Sequence, residues 1–143
     1  MFMAYFFDAQ SAEIIPVEIR SDRQCEEIRR LIGCEQAEAI RLDDAHVVLC
    51  DQDGLGTGLH GVVEIDGFSQ PLGGNLIIAG LEDGELTAPK VPLDEVADRI
   101  DVVRPVLDPQ TQLDSYRRTR PLDFAIRLVR QKPRPVLAAR LSA

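Results

Sequence analysis

The chain has 143 residues, of which 45% are hydrophobic, 28% charged and 5% aromatic. This length and composition predict one globular domain and exclude a fibrous or largely disordered chain. The net charge of −8 argues against nucleic acid as the partner of the whole surface.

The charge is unevenly distributed along the chain. Residues 1–100 carry 7 Lys and Arg against 20 Asp and Glu, a net of −13, whereas residues 101–143 carry 9 against 4, a net of +5. We therefore expect an acidic α+β domain over residues 1–107 and a basic segment over residues 108–143. Either this segment docks on the acidic domain, or it reaches an anionic partner, nucleic acid included.

Targeting and cysteine patterns indicate a cytoplasmic protein with no membrane segment. No apolar run approaches the roughly 20 residues of a membrane-spanning helix, and Met1–Phe7 lacks the basic region of a signal peptide. The three cysteines form no C-x-x-C pair, which argues against zinc and disulfide scaffolds. Cys25 and Cys50 lie in apolar patterns and are expected to be buried.

Two strands open the chain, over residues 2–7 and 13–20, and Pro16 predicts that the second lies at a sheet edge. Four aromatic residues lie in the first strand, and they either cover the domain's own core or form a self-association surface: Phe2, Tyr5, Phe6 and Phe7. Because the acidic and basic regions can also exchange between copies, we predict a homodimer.

A helix is predicted from about Asp22 to Leu31, with Ser21 and Asp22 as its cap and Gly33 at its end. Strands over residues 37–42 and 46–50 form a hairpin. Further strands follow over residues 62–65 and 75–79, and the second is expected to be central because its apolar run is unbroken.

The last third contains a helical pattern from Leu93 to Ile100 and a polar connection beyond Pro105 and Pro109. From Pro121 to Arg130 the spacing favours a helix, with a strand as the alternative. The predicted fold is therefore α+β: a largely antiparallel sheet of five to six strands, one or two packed helices, and a basic C-terminal helix or tail.

The loop from Asp51 to Gly61 contains the pattern G-x-G-x-x-G, but a β-branched segment follows it instead of the helix that a dinucleotide site requires. Asp51 and Asp53 resemble the start of a calcium loop without its later ligands. His46 and His60 flank the same region, and with the two aspartates they form one hypothetical metal site. No ligand spacing supports it, so we predict no metal, no cofactor and no catalytic residues.

These observations favour a small soluble binding or accessory protein with a protein partner. The alternative is a small-ligand or metal-dependent enzyme with a pocket under the loop over residues 51–61. The residues expected to contact a ligand or partner are Asp51, Asp53, His60, Asn75, Arg117, Arg118 and Arg120.

Five segments of the central region resemble one known family: Ile28–Cys34, Ala37–Ile40, Val47–Leu55, Gly58–Leu59 and Gly73–Ile78. The sequence over residues 13–81 is similar to domain of unknown function 3846, a family met in bacteria, phages and mobile elements. The resemblance implies a bacterial or phage-like source and no particular activity.

Overall fold

The computed structural model describes residues 1–54, 62–113 and 119–137, and in the strands between residues 107 and 126 it describes the backbone alone. The elements follow in this order: β1 (Phe2–Asp8), β2 (Glu13–Ile19), a 3₁₀ turn (Ser21–Arg23), α1 (Gln24–Ile32), β3 (Ala37–Arg41), β4 (His46–Asp51), β5 (Val62–Ile65), β6 (Leu72–Gly73), β7 (Leu76–Glu82), β8 (Glu85–Thr87), α2 (Leu93–Asp98), β9 (Ile100–Leu113), β10 (Thr119–Gln131) and β11 (Arg134–Pro135).

The strands form two sheets, where the sequence analysis predicted one sheet of five to six strands. The larger sheet has the order β11-β2-β1-β7-β4-β3, with β8 also paired to β7, and the smaller sheet has the order β10-β9-β5-β6. Every pair is antiparallel except β11 with β2. The prediction of a largely antiparallel α+β fold is confirmed.

The central strand β7 is buried on both faces, as its unbroken apolar run predicts. Ile77 and Ala79 face a core that also contains Ile28 and Ile32 of α1. The alternate residues of β7 face a second core, shared with β5, β9 and α2. The larger sheet therefore lies between α1 on one side and the smaller sheet with α2 on the other.

The helix boundaries show one correction. Ser21 and Asp22 do not cap α1, since the 3₁₀ turn intervenes and neither N-terminal boundary has a side-chain cap bond. Instead the carboxylate of Glu27 accepts a hydrogen bond of 2.7 Å from the backbone N–H of Arg20. The helix ends at Gly33 as predicted, in the left-handed conformation with φ +81° that glycine adopts without steric cost.

The N-terminal aromatic residues belong to the protein's own core. Phe7 is fully buried, and the other three pack against the two cores from partly buried positions. The cluster therefore covers the domain's own core, the first of the two alternatives. Cys50 is buried as predicted, whereas Cys25, in the first turn of α1, is exposed, so the prediction of a buried Cys25 is wrong.

The largest difference concerns the C-terminal third. The segment predicted as a helix from Pro121 to Arg130 belongs to strand β10, which pairs with β9 from Thr119 to Gln131 in a long hairpin. Pro105 and Pro109 lie inside β9 and do not end it. Among the described residues, the pairing of β9 with β5 ends at Val103. Beyond Val103, the edge of β9 opposite β10 has no described partner strand, so proline, which lacks a backbone N–H, is tolerated there.

The strand β2 carries Pro16 near a sheet edge, as predicted, because β11 pairs with only Glu13 and Ile14. Basic residues within and just before β11 contact acidic groups of the domain. Three ion pairs with N···O distances of 2.9–3.0 Å join Arg130 to Glu64, Lys132 to Asp101 and Arg134 to Glu13.

The boundary at residue 107 between the acidic domain and the basic segment remains a prediction. No helix in the described part of the chain is long and apolar enough to cross a membrane.

Candidate functional site

The end of β4 opens into a groove of about 620 Å³, which we call the acidic groove. One wall is β3, a second is the turn after β4, and the third is the segment before and within β6. Its lining residues are Glu38, Ala39, Ile40, Cys50, Asp51, Gln52, Asp53, Gly54, Phe68, Gln70, Pro71, Leu72 and Gly73. Among the lining residues that the structure describes, three are carboxylates and none is Lys or Arg, so this part of the groove is negative.

Local backbone geometry positions the carboxylates. The β3–β4 register places Glu38 opposite Cys50, one residue before Asp51 at the strand's end. The backbone N–H of Asp53 donates a hydrogen bond of 2.9 Å to Oδ1 of Asp51, which closes a tight turn after β4. The groove therefore holds two carboxylates from one turn and a third from the neighbouring strand.

The thiol of Cys50 lies against this groove but is not activated. Its Sγ donates to the backbone oxygen of Glu38 at 3.7 Å. Burial, together with the negative charges of Glu38 and Asp51, raises the pKa of Cys50 to about 11. The pKa of Cys34 is also raised, first by burial and then by Asp51. Because a nucleophilic cysteine must be a thiolate, these two thiols are unsuited to covalent catalysis at neutral pH.

His46 is not available to the metal site considered from the sequence. The ring is buried, with Nδ1 2.9 Å from Oδ1 of Asp43 and Nε2 accepting a hydrogen bond of 3.0 Å from the backbone N–H of Lys90. Nδ1 therefore carries the proton donated to Asp43. Both ring nitrogens are used, so His46 joins the β3–β4 turn to the segment before α2.

Asp43 is the anionic centre of this junction. Burial by itself raises its pKa, but hydrogen bonds from the backbone N–H of Ala45, from His46 and from Arg99 outweigh burial. The pKa of Asp43 is held at about 2, below its ordinary value of 3.8. These contacts serve the packing of the turn and lie away from the acidic groove.

The other predicted contact residues are dispersed. Asn75 accepts a hydrogen bond of 2.9 Å from the backbone N–H of Ala9 and does not line the groove. Arg120 lies in β10, while His60, Arg117 and Arg118 lie outside the described residues, so their role stays a prediction. Asp51 and Asp53 are brought together. Within the ranges described, no three His, Cys, Asp or Glu side chains are placed to hold a metal ion.

Sequence reasoning missed three residues that complete the groove. Glu38 could have been identified from the sequence as a neighbour of Asp51, because the predicted hairpin pairs its position with the end of the next strand. Phe68 and Gln70 belong to an irregular segment whose place beside β3 depends on how the two sheets pack. Their local sequence carries no signal for a site.

Comparison with known proteins gives a family without an assigned activity. "Uncharacterized protein y4iR" of Sinorhizobium fredii (strain NBRC 101917 / NGR234) is 30% identical over 108 residues, covering 75% of this chain and 67% of that protein. "Protein PsiB" of Rhizobium leguminosarum bv. phaseoli is 34% identical over 83 residues, covering 57% of this chain and 62% of that protein. No solved structure gives a significant match.

The family match covers residues 4–101, a longer stretch than the resemblance seen in residues 13–81. It includes β3, β4 and the segment through β6, and therefore the whole acidic groove. Because the match spans more than half of its length, the chain belongs to the family described as Domain of unknown function (DUF3846).

Proposed function

We propose that this protein is a small non-enzymatic binding protein whose acidic groove receives a basic segment of a protein partner. The observation that carries the proposal is the composition of the groove: three carboxylates, two amide side chains and an aromatic ring around about 620 Å³. A groove of this size accommodates several side chains of an extended polypeptide.

The lining suits cationic side chains in particular. Glu38 and Asp53 are exposed and Asp51 is half-buried, so an incoming Arg or Lys keeps part of its hydration while it gains an ion pair. Phe68 is half-buried and lines the same groove, and an aromatic ring attracts a guanidinium group placed over its face. Gln52 and Gln70 add amide donors and acceptors for a peptide backbone.

The basic C-terminal segment is the proposed second contact region, and the proposal includes a cytoplasmic location and a homodimeric state. The three cysteines are free thiols, which is the form that persists in a reducing compartment. Alanine replacement of Arg117, Arg118 and Arg120 should weaken capture of an anionic partner in a salt-dependent way. Equal capture by this variant at low salt would remove the segment from the proposal.

The groove is tested with a fluorescent peptide of alternating Val and Arg, six residues long, titrated with the protein at low salt. The variant Glu38→Gln/Asp51→Asn removes two charges, and the asparagine keeps an oxygen that accepts the turn hydrogen bond from Asp53. At about 0.5–1 kcal/mol per rim charge, we expect affinity to fall about tenfold.

The matched control is Glu18→Gln/Glu26→Gln, which changes the net charge equally at two exposed positions outside the groove. The control should bind like the unaltered protein, apart from a small effect of net charge. If both double variants lose the same affinity, binding reflects overall charge and the groove is not the site.

A further inference from the structure

The strand β3 ends the larger sheet with an unpaired backbone edge. The N–H of Gln52 donates to the carbonyl of Gln36 at 3.3 Å, and the N–H of Leu42 donates to the carbonyl of His46 at 3.0 Å. In an antiparallel pair these bonds recur at every second residue, so the even-numbered residues of β3 face β4. The backbone groups of Ala37, Ala39 and Arg41 therefore point away from the sheet.

This edge has few of the features that normally prevent strand addition. Its five residues pair with β4 without a bulge, none is proline, and the two alanines are exposed. Among the residues that the structure describes, no strand covers it. Glu38 and Ile40, which face the acidic groove, would lie beside alternate side chains of an added strand.

The hairpin of β9 and β10 presents a second edge that no strand covers among the residues the structure describes. Within those residues, β9 beyond Val103 pairs with β10 alone, and β10 ends the smaller sheet. A two-stranded ribbon is only marginally stable by itself in water, so a third strand along β10 would stabilise it. The segment 119–131 carries three Arg and one Asp, which is complementary to the three carboxylates of the groove.

The topology places the two edges apart within one chain. β6 lines the groove, and β10 lies at the opposite edge of that same sheet, three strand positions or about 14 Å away. We infer that the β3 edge and acidic groove of one copy bind the β10 edge of a second copy. In the twofold arrangement that this inference implies, β3 of each copy pairs with β10 of the other, which closes a dimer with two such pairings.

This inference rests on the proposed function and names the occupant of the same groove. It is tested by light scattering of the full chain at micromolar concentrations, where a dimer has twice the monomer mass of 15.9 kDa. Ala39→Pro removes an edge donor that faces away from β4, so the β3–β4 hydrogen bonds are retained. We expect Ala39→Pro to be monomeric, while the control Ala39→Val keeps the N–H and stays dimeric.

The circular dichroism and thermal unfolding of Ala39→Pro establish that this variant folds. A dimer that persists in folded Ala39→Pro, or unaltered protein that is monomeric throughout, would overturn the inference. In either case, binding of the Val-Arg peptide leaves the proposed binding role of the groove standing, whereas a groove that binds no peptide removes both that role and the inference. Unaltered protein that is monomeric throughout also removes the homodimeric state from the proposed function. A dimer lost in Ala39→Pro and weakened in Glu38→Gln supports the inference.

Discussion

Replacing His46 by alanine tests whether this histidine joins two segments of the fold. The ring is 4% exposed, and it donates to the Asp43 carboxylate and accepts from the N–H of Lys90. A hydrogen bond to a charged group contributes about 1.5–3 kcal/mol and a neutral one about 0.5–1.5 kcal/mol. We therefore expect His46→Ala to lower the free energy of unfolding by about 3 kcal/mol.

Two matched variants separate the two bonds. Asparagine places an amide near the position of Nδ1 and keeps the bond to Asp43, whereas glutamine reaches the position of Nε2 and keeps the bond from Lys90. Both should be more stable than His46→Ala, and both less stable than the unaltered protein. Urea unfolding followed by circular dichroism at pH 7 gives the free energies. A decrease in the free energy of unfolding of less than about 1 kcal/mol in His46→Ala would refute the reasoning, since the loss of two buried hydrogen bonds should destabilise the fold by more than that.

Three further predictions concern charge, backbone conformation and thiol access. Because the pKa of Asp43 is held at about 2 instead of 3.8, its stabilising contribution is present above pH 5 and lost as the pH falls towards 2. The full pKa shift corresponds to about 2.4 kcal/mol of stability, which solvent screening reduces to about 1 kcal/mol because the side chain is 38% exposed. The free energies of unfolding of the unaltered protein and of Asp43→Asn should therefore differ by an amount that changes with pH. A difference that is constant with pH would contradict this. Gly33→Ala should cost about 1 kcal/mol in urea unfolding, because alanine is strained at φ +81°; an unchanged midpoint would argue against that conformation. Ellman's reagent should react with Cys25 in the native protein and with Cys50 only after unfolding; fast reaction of Cys50 in native protein, read against a Cys25→Ser control, would show that it is accessible.

Local sequence patterns predicted much of the larger sheet. The unbroken apolar run in β7 requires burial on both faces, and the structure places its alternate residues in two different cores. The β3–β4 hairpin and the end of α1 at Gly33 likewise depend on residues close together in sequence. Such features are predictable because short-range sterics and hydrophobic periodicity determine them.

The segment from Pro121 to Arg130 shows where local patterns were insufficient. Its apolar spacing suits a helix, yet it pairs with β9 along nearly its whole length. Interstrand hydrogen bonds can join residues that are distant in sequence, so the apolar periodicity of one segment does not show whether these bonds form. Pro105 and Pro109 were misleading for the same reason, because proline interrupts only a strand that is paired on both sides.

The sequence by itself determined the fold class, the family resemblance, the separation of acidic and basic charge, and the two aspartates at the end of β4. Only the tertiary structure decided that Glu38 and Phe68 complete a groove with them, and that His46 is a buried link between segments. The physical reason is that a site made by two packed sheets depends on their relative placement. The relative placement of the two sheets is set by the sum of many buried contacts, so it cannot be predicted from any short stretch of sequence.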